Sequence, residues 1–148
     1  MYKVDGVSES AMRAAREVRV ALSRLRRRLR QEYDTSGLTP SQTSVLSRLD
    51  REGEASVSDL AAAERVRHQS MTSVVTALEG RGLVVRRPDP GDGRRQLVSV
   101  SETGRRFLAD RRQAGEEWLA RACDEQLTEA ERQTVIEAMA LLERINRS

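Results

Sequence analysis

Apolar residues recur along this chain in two rhythms. From about Ser8 the positions Ala11, Ala15, Val18, Leu22, Leu25 and Leu29 alternate steps of four and three. That narrow stripe is the kind that seams helices together. Gly37 closes the segment. Thr39-Pro40-Ser41-Gln42 then predicts a helix start: Thr39 caps, Pro40 suits the first helical position and Gln42 completes a capping box. This helix runs to about Glu52, stops at Gly53 and buries Val45, Leu46 and Leu49. Ser56-Val57-Ser58-Asp59 reads as a second capping box, opening a short helix to about Arg65 with Leu60, Ala61 and Val66 on its inner side. A turn at Val66-Arg67-His68 leads into residues 69–81. There Met71, Val74, Val75 and Leu78 recur at helical spacing, while Gln69, Ser70, Thr72, Ser73 and Thr76 point outward.

The period then drops to two. Leu83-Val84-Val85 and Leu97-Val98-Ser99-Val100 flank a loop dense in Pro, Gly, Asp and Arg. This predicts a β-hairpin whose tip is too polar for a core. Arg94 and Arg95 sit at the tip, Arg86 and Arg87 at the base. Ser101 caps a long helix containing Phe107, Leu108, Trp118 and Leu119, which Gly104 and Gly115 weaken enough to allow a bend. Thr128-Glu129-Ala130-Glu131 is a third capping box, opening a final helix with Val135, Ile136, Met139, Leu142 and Ile145 on one side.

Two short helices in succession, the second presenting small polar side chains, form a helix-turn-helix pattern, and the arginine-tipped hairpin after it makes a winged helix. The predicted fold is mainly α with a small β-wing, within one domain covering residues 1–148. Residues 39–100 form the winged helix-turn-helix. Residues 8–34 and 101–147 form long helices for dimerisation. The middle has its own core, so the economical cover for the two ends is a second copy in a two-fold homodimer. The alternative is a monomeric bundle folded back on the winged unit.

Composition narrows the chemistry. One Trp, two Tyr and one Phe leave the core to aliphatic residues, which favours packed helices. The 26 basic and 23 acidic residues give a net charge of only +3, so distribution says more than the total. Almost every cation is Arg, which suits bidentate phosphate and base contacts, although a GC-rich genome would enrich Arg as well. Cys123 is a lone cysteine, read as inert packing. His68 is the lone histidine, which leaves no metal set and no cofactor, and no nucleophile motif accompanies it. The chain therefore reads as no enzyme. With no apolar run long enough to span a membrane, it is expected to be soluble and cytoplasmic.

At this point the order of parts resembles the multiple-antibiotic-resistance regulator (MarR) family of bacterial winged-helix transcription factors. The resemblance is densest from Ser70-Met71-Thr72-Ser73-Val74-Val75 through Gly82-Leu83-Val84-Val85-Arg86. It continues through Asp92-Gly93-Arg94 and Leu97 to Ser101-Glu102-Thr103-Gly104. These stretches look like the family's recognition helix, strand entry, Asp-x-Arg wing and wing exit. The resemblance implies a homodimer that binds a pseudo-palindromic operator in double-stranded DNA, most often as a repressor, in the bacterial cytoplasm and at the nucleoid when bound. It also implies release by a small aromatic or phenolic ligand, for which Met12, Tyr33 and Trp118 are pocket candidates, with ordinary packing as their other role. Relatives that sense oxidants use a first-helix cysteine, absent here. Ser101 stands where the family has Thr, and Ser73 where relatives often carry Arg.

The DNA-binding candidates follow. Arg94 matches the family arginine that enters the minor groove, where a narrow A·T-rich groove attracts a guanidinium. Asp92 is placed to pair with and orient it. Arg95 is a candidate for phosphate or for no contact, and Arg86, at the base of the wing, is a further DNA-binding candidate. Gln69, Ser70, Thr72, Ser73 and Thr76 form the major-groove face. Arg67 and His68 precede that helix and suit phosphate near its positive end. The arginine run at residues 24–30 reads first as the solvated side of an amphipathic helix, and second as another DNA surface. A winged-helix protein–protein interaction module is the competing function, but such a module has no need of an exposed Arg94.

Overall fold

In the computed structural model, which describes residues 6–33 and 37–148 (Tyr33 by its backbone alone), the order of elements is α1 (Glu9–Tyr33), α2 (Pro40–Glu52), β1 (Ala55–Ser56), α3 (Val57–Glu64), α4 (His68–Gly80), β2 (Val84–Asp89), β3 (Asp92–Val100), α5 (Glu102–Gln126) and α6 (Glu129–Asn146). The chain divides into two compact units. One is residues 35–113; the other joins residues 1–34 to 114–148.

Local chemistry sets the ends of the helices. Ser8 caps α1 by accepting from the Ala11 N–H at 3.2 Å. Thr39 and Gln42 form the full capping box of α2, and Thr128 and Glu131 that of α6. Ser56 caps α3 by accepting from the Asp59 N–H, while the Asp59 carboxylate reaches across to Arg95. A left-handed residue ends α3, and it is Arg65, at φ 55°, rather than a glycine. At the end of α4 that conformation falls on Gly82, φ 72°, where a side chain would be strained. The turn lets the Leu83 N–H return to the Leu78 carbonyl at 3.0 Å and aims Leu83 into the core.

Within residues 35–113 the sheet is antiparallel in the order β1-β3-β2. Beside the predicted hairpin it contains a strand without a sequence signal. Ala55 and Ser56 pair with Val98 and Leu97. The hairpin is also longer than its apolar runs suggest. Arg86 pairs with Val98, Arg87 with Leu97 and Pro88 with Gln96, with an irregularity between Pro88 and Asp89. Backbone pairing thus continues through the polar residues to the tip. Val45, Leu46, Leu60, Met71, Val75, Leu78, Val84 and Val98 are almost wholly buried together. Among the described residues, every buried hydrophobic side chain lies between Leu38 and Leu108.

α5 is one continuous helix despite Gly104 and Gly115. Gly104 has a packing reason: a Cβ there would lie 2.1 Å from the Leu83 carbonyl oxygen and 2.8 Å from Val100 Cγ1. Ser101 secures the same corner, accepting from the Gly104 N–H and donating to the Gly82 carbonyl. In the other unit α6 buries no residue, and Ile136, Leu141 and Ile145 are more than half exposed. No described helix is long and apolar enough to cross a membrane.

Candidate nucleic-acid interface

α3 and α4 supply the two short helices of the turn, and the β2–β3 hairpin projects beyond them as the wing. Between these elements lies an open cleft of about 500 Å³. The start of α3 contributes Ser56, Val57 and Ser58, and α4 contributes His68 and Thr72. The wing closes it with Arg86, Asp92, Arg94, Arg95 and Gln96. Six of the predicted contact residues therefore meet in one place. Ser58 and Gln96 join them unannounced by the sequence.

The exposed turns of α4 carry the other candidates. Arg67, His68, Gln69 and Ser70 are exposed, and Arg67 precedes the helix without capping it through its side chain. The first N–H groups of α4 are therefore left to outside acceptors. Thr72 Oγ1 donates to the His68 carbonyl at 3.0 Å and Ser73 Oγ to the Gln69 carbonyl at 3.2 Å. Each hydroxyl spends its proton on the helix and keeps its acceptor lone pairs. Thr76 is engaged differently: its Oγ1 accepts from Arg86 Nη2 at 2.8 Å.

The wing arginines are not equivalent. Arg86, with 20% of its side chain exposed, also approaches Glu79 at 3.3 Å and so ties β2 to α4. Arg87 holds Glu54 through two nitrogens. Arg95 donates to Asp59 Oδ2 at 2.6 Å and to Ser56 Oγ at 3.0 Å, clamping β3 to the start of α3. Among the described residues, Arg94 is the hairpin arginine with no carboxylate partner. Asp92 accepts from the Arg94 backbone N–H at 3.1 Å, not from its guanidinium. The expected Asp92–Arg94 pairing is therefore corrected in its atoms. A two-residue separation in this turn brings the carboxylate back onto the backbone, which shapes the tip and leaves the guanidinium outward.

These clamps leave an electrostatic signature. The hydrogen bond from Arg87 holds the Glu54 carboxyl below the ordinary range. Asp59 is held low first by the Ser56 hydroxyl, against a smaller opposing effect of desolvation, and then by the charge of Arg95. A depressed carboxylate contributes order above its unfolded pKa and loses it as pH falls through the folded value. The Arg95 clamp should thus be constant from pH 7 to about 4 and weaken below that. The Arg95 Nε–H resonance followed by NMR from pH 7 to pH 2 should report this. In Asp59→Asn the acid transition at that resonance should vanish. An identical transition in the variant would remove Asp59 from the account.

The pocket candidates belong to the other unit. Met12 and Trp118 are half-buried, and the Arg28 guanidinium lies 5.8 Å from the Trp118 ring centroid. The side chain of Tyr33 lies outside the described residues. Cys123 is half-buried and free. No group of His, Cys, Asp or Glu among the described residues is arranged to hold a metal ion.

A helix-turn-helix with a basic wing across its mouth defines a winged-helix transcriptional regulator. The MarR family profile matches residues 38–95. An HTH-type transcriptional regulator of Mycobacterium bovis is 44% identical over 112 residues, covering 76% of this chain and 78% of that protein. The chain belongs to the MarR family. A transcriptional regulator protein from Pseudomonas aeruginosa superposes with a TM-score of 0.80 at 38% identity, over 96% of this chain and 99% of that one. Wild-type MarR of E. coli in its apo form superposes at 0.70 over 88% of this chain and 94% of its own, and at 22% identity shares the fold.

Proposed function

We propose that this chain acts in the bacterial cytoplasm as a homodimeric, sequence-specific DNA-binding repressor. Residues 39–100 read the operator, and the helices on either side carry the dimer contact. The observation that carries the reading is Arg94. Three neighbouring wing arginines are engaged by Glu54, Asp59, Thr76 and Glu79, while Arg94 projects from a tip shaped by Asp92. An arginine held out in this way suits the minor groove. Gln69, Ser70, Thr72 and Ser73 then face the major groove. Arg67 and His68 bind phosphate beside the α4 N-terminus, and Arg95, still 44% exposed, borders the same path. Thr76 and Arg86 set the angle between recognition helix and wing. Repression relieved by a small aromatic ligand near Met12, Tyr33 and Trp118 follows the family pattern.

Exposed Val135, Ile136 and Met139 on α6, with Leu22 on α1, support assembly of two chains. An Ile136→Glu, Met139→Glu double variant should sediment as a monomer at micromolar concentration, where the wild type sediments as a dimer. A monomeric wild type would overturn the assembly.

Selection of duplexes from a random library tests the function itself. The expected product is a pseudo-palindrome with half-sites about 10 bp apart, centre to centre. Recovery of no preferred sequence would favour the protein–protein interaction module instead.

A further inference from the structure

The arginines of α1 are not absorbed by this reading. The helix holds eight arginines against three glutamates, a net +5, while the rest of the chain has 18 basic and 20 acidic residues, a net −2. The whole positive excess of the protein therefore sits on one helix. At 3.6 residues per turn, Arg13, Arg16, Arg24, Arg27 and Arg30 fall within an arc of about 120°. All five are exposed. They run along about 25 Å of the axis at 1.5 Å per residue. Arg28 pairs with Glu32 at 2.9 Å; among the described residues none of the five enters an ion pair.

Arg13, Arg16 and Arg19 follow one another at intervals of three, as do Arg24, Arg27 and Arg30. Like charges at such spacing repel across successive turns and destabilise the helix. Glu9 lies on this face four residues before Arg13 and Glu17 borders it, yet no acid stands among residues 24–30, whereas α5 sets Glu102 beside Arg105 and Arg106 and Glu117 beside Arg121. The opposite side of α1 carries Val18, Leu25 and Leu29, all half-buried. Leu22 on the same side stays exposed and belongs to the proposed dimer contact, so that side is committed within the assembly rather than to a lipid surface.

We infer that this face is a second, sequence-independent binding surface for the phosphates of duplex DNA, separate from the groove-reading contacts of α4 and the wing. A rigid polyanion relieves the repulsion, and guanidinium groups match phosphate in geometry. A duplex presents one charge per roughly 1.7 Å, or about 15 over the length of the stripe. Placing DNA rather than another polyanion there rests on the regulator reading.

The test is a full-length variant with Arg13→Gln, Arg16→Gln, Arg24→Gln and Arg27→Gln, titrated by fluorescence anisotropy against a 60-bp duplex of no preferred sequence from 50 to 200 mM salt (the duplex length of roughly six turns leaves room for both surfaces). The slope of log K against log salt should fall by about 3–4, at 0.9 per phosphate contact, and affinity should drop at least about tenfold. The same four positions changed to Lys should keep the wild-type slope. Should the fourfold variant fold poorly, the Arg13/Arg16 and Arg24/Arg27 pairs changed separately should each remove roughly half. An unchanged slope overturns the inference. So does an unchanged slope with loss of binding to vesicles rich in phosphatidylglycerol, which would assign the face to a membrane. Arg94→Ala on a selected operator separates the two ideas: it reports the wing alone, and the α1 slope stands or falls without it.

Discussion

Arg94→Ala will weaken binding to a selected operator by roughly 30-fold at physiological salt, about 2 kcal/mol for a charge-assisted contact. The size follows from the inequality among the wing arginines. Arg86, Arg87 and Arg95 already hold protein partners, so their guanidinium groups would have to exchange one acceptor for another. Arg94 gives up only water. The loss should be largest when the operator flanks are A·T-rich and shrink when they are G·C-rich, since the narrow groove concentrates the potential. Asp92→Ala should cost less, because it loosens the backbone of the tip and leaves the cation. Titration of both variants against operators with altered flanks measures this. Wild-type affinity in Arg94→Ala would end the wing assignment.

Gly104→Ala will destabilise the winged unit by about 1–3 kcal/mol, the usual range for forcing atoms into a packed site. Two effects oppose each other. Alanine is a better helix former than glycine, by up to about 1 kcal/mol at an interior position and less in the first turn, where Gly104 stands. Against that, its Cβ would stand 2.1 Å from the Leu83 carbonyl oxygen, a backbone atom that already accepts from the Ser101 N–H at 3.0 Å. Because the obstacle is backbone, it cannot swing away, and the clash wins. The melting temperature should fall by several degrees. Gly80→Ala is the control: nothing lies within 4 Å of a Cβ there, so it should be neutral or slightly stabilising. A Gly104→Ala protein as stable as wild type would mean that the α5 start can move away from the sheet.

The parts of the fold that depend on neighbours in sequence were legible before the structure. The Thr39–Gln42 and Thr128–Glu131 boxes formed as read, because cap and partner are three residues apart. The apolar faces of α2 and α4 followed from period alone. Strand β1 did not: two residues have no period, and their extended form comes from pairing with Val98 and Leu97 some forty residues later. The same holds for the wing clamps. Asp59 read as a capping residue, and only the fold brings Arg95 to it. Thr76 read as a base contact, and its partner Arg86 lies across a turn and a strand. Gly104 read as a weakness in a helix, since a sequence cannot show the carbonyl that a methyl group would strike.

Among the described residues the buried core is confined to residues 38–108, which has a consequence for how the protein behaves as its amount changes. On the proposed assembly the winged unit carries its own stability, whereas α1 and α6 complete theirs across the dimer contact. Order in the ends is then a mass-action quantity, coupled to chain concentration. Dilution loosens the ends first and leaves a folded reader with half its contacts to DNA. Occupancy of a palindrome therefore falls more steeply than in proportion to copy number, which sharpens the threshold at which the operator empties.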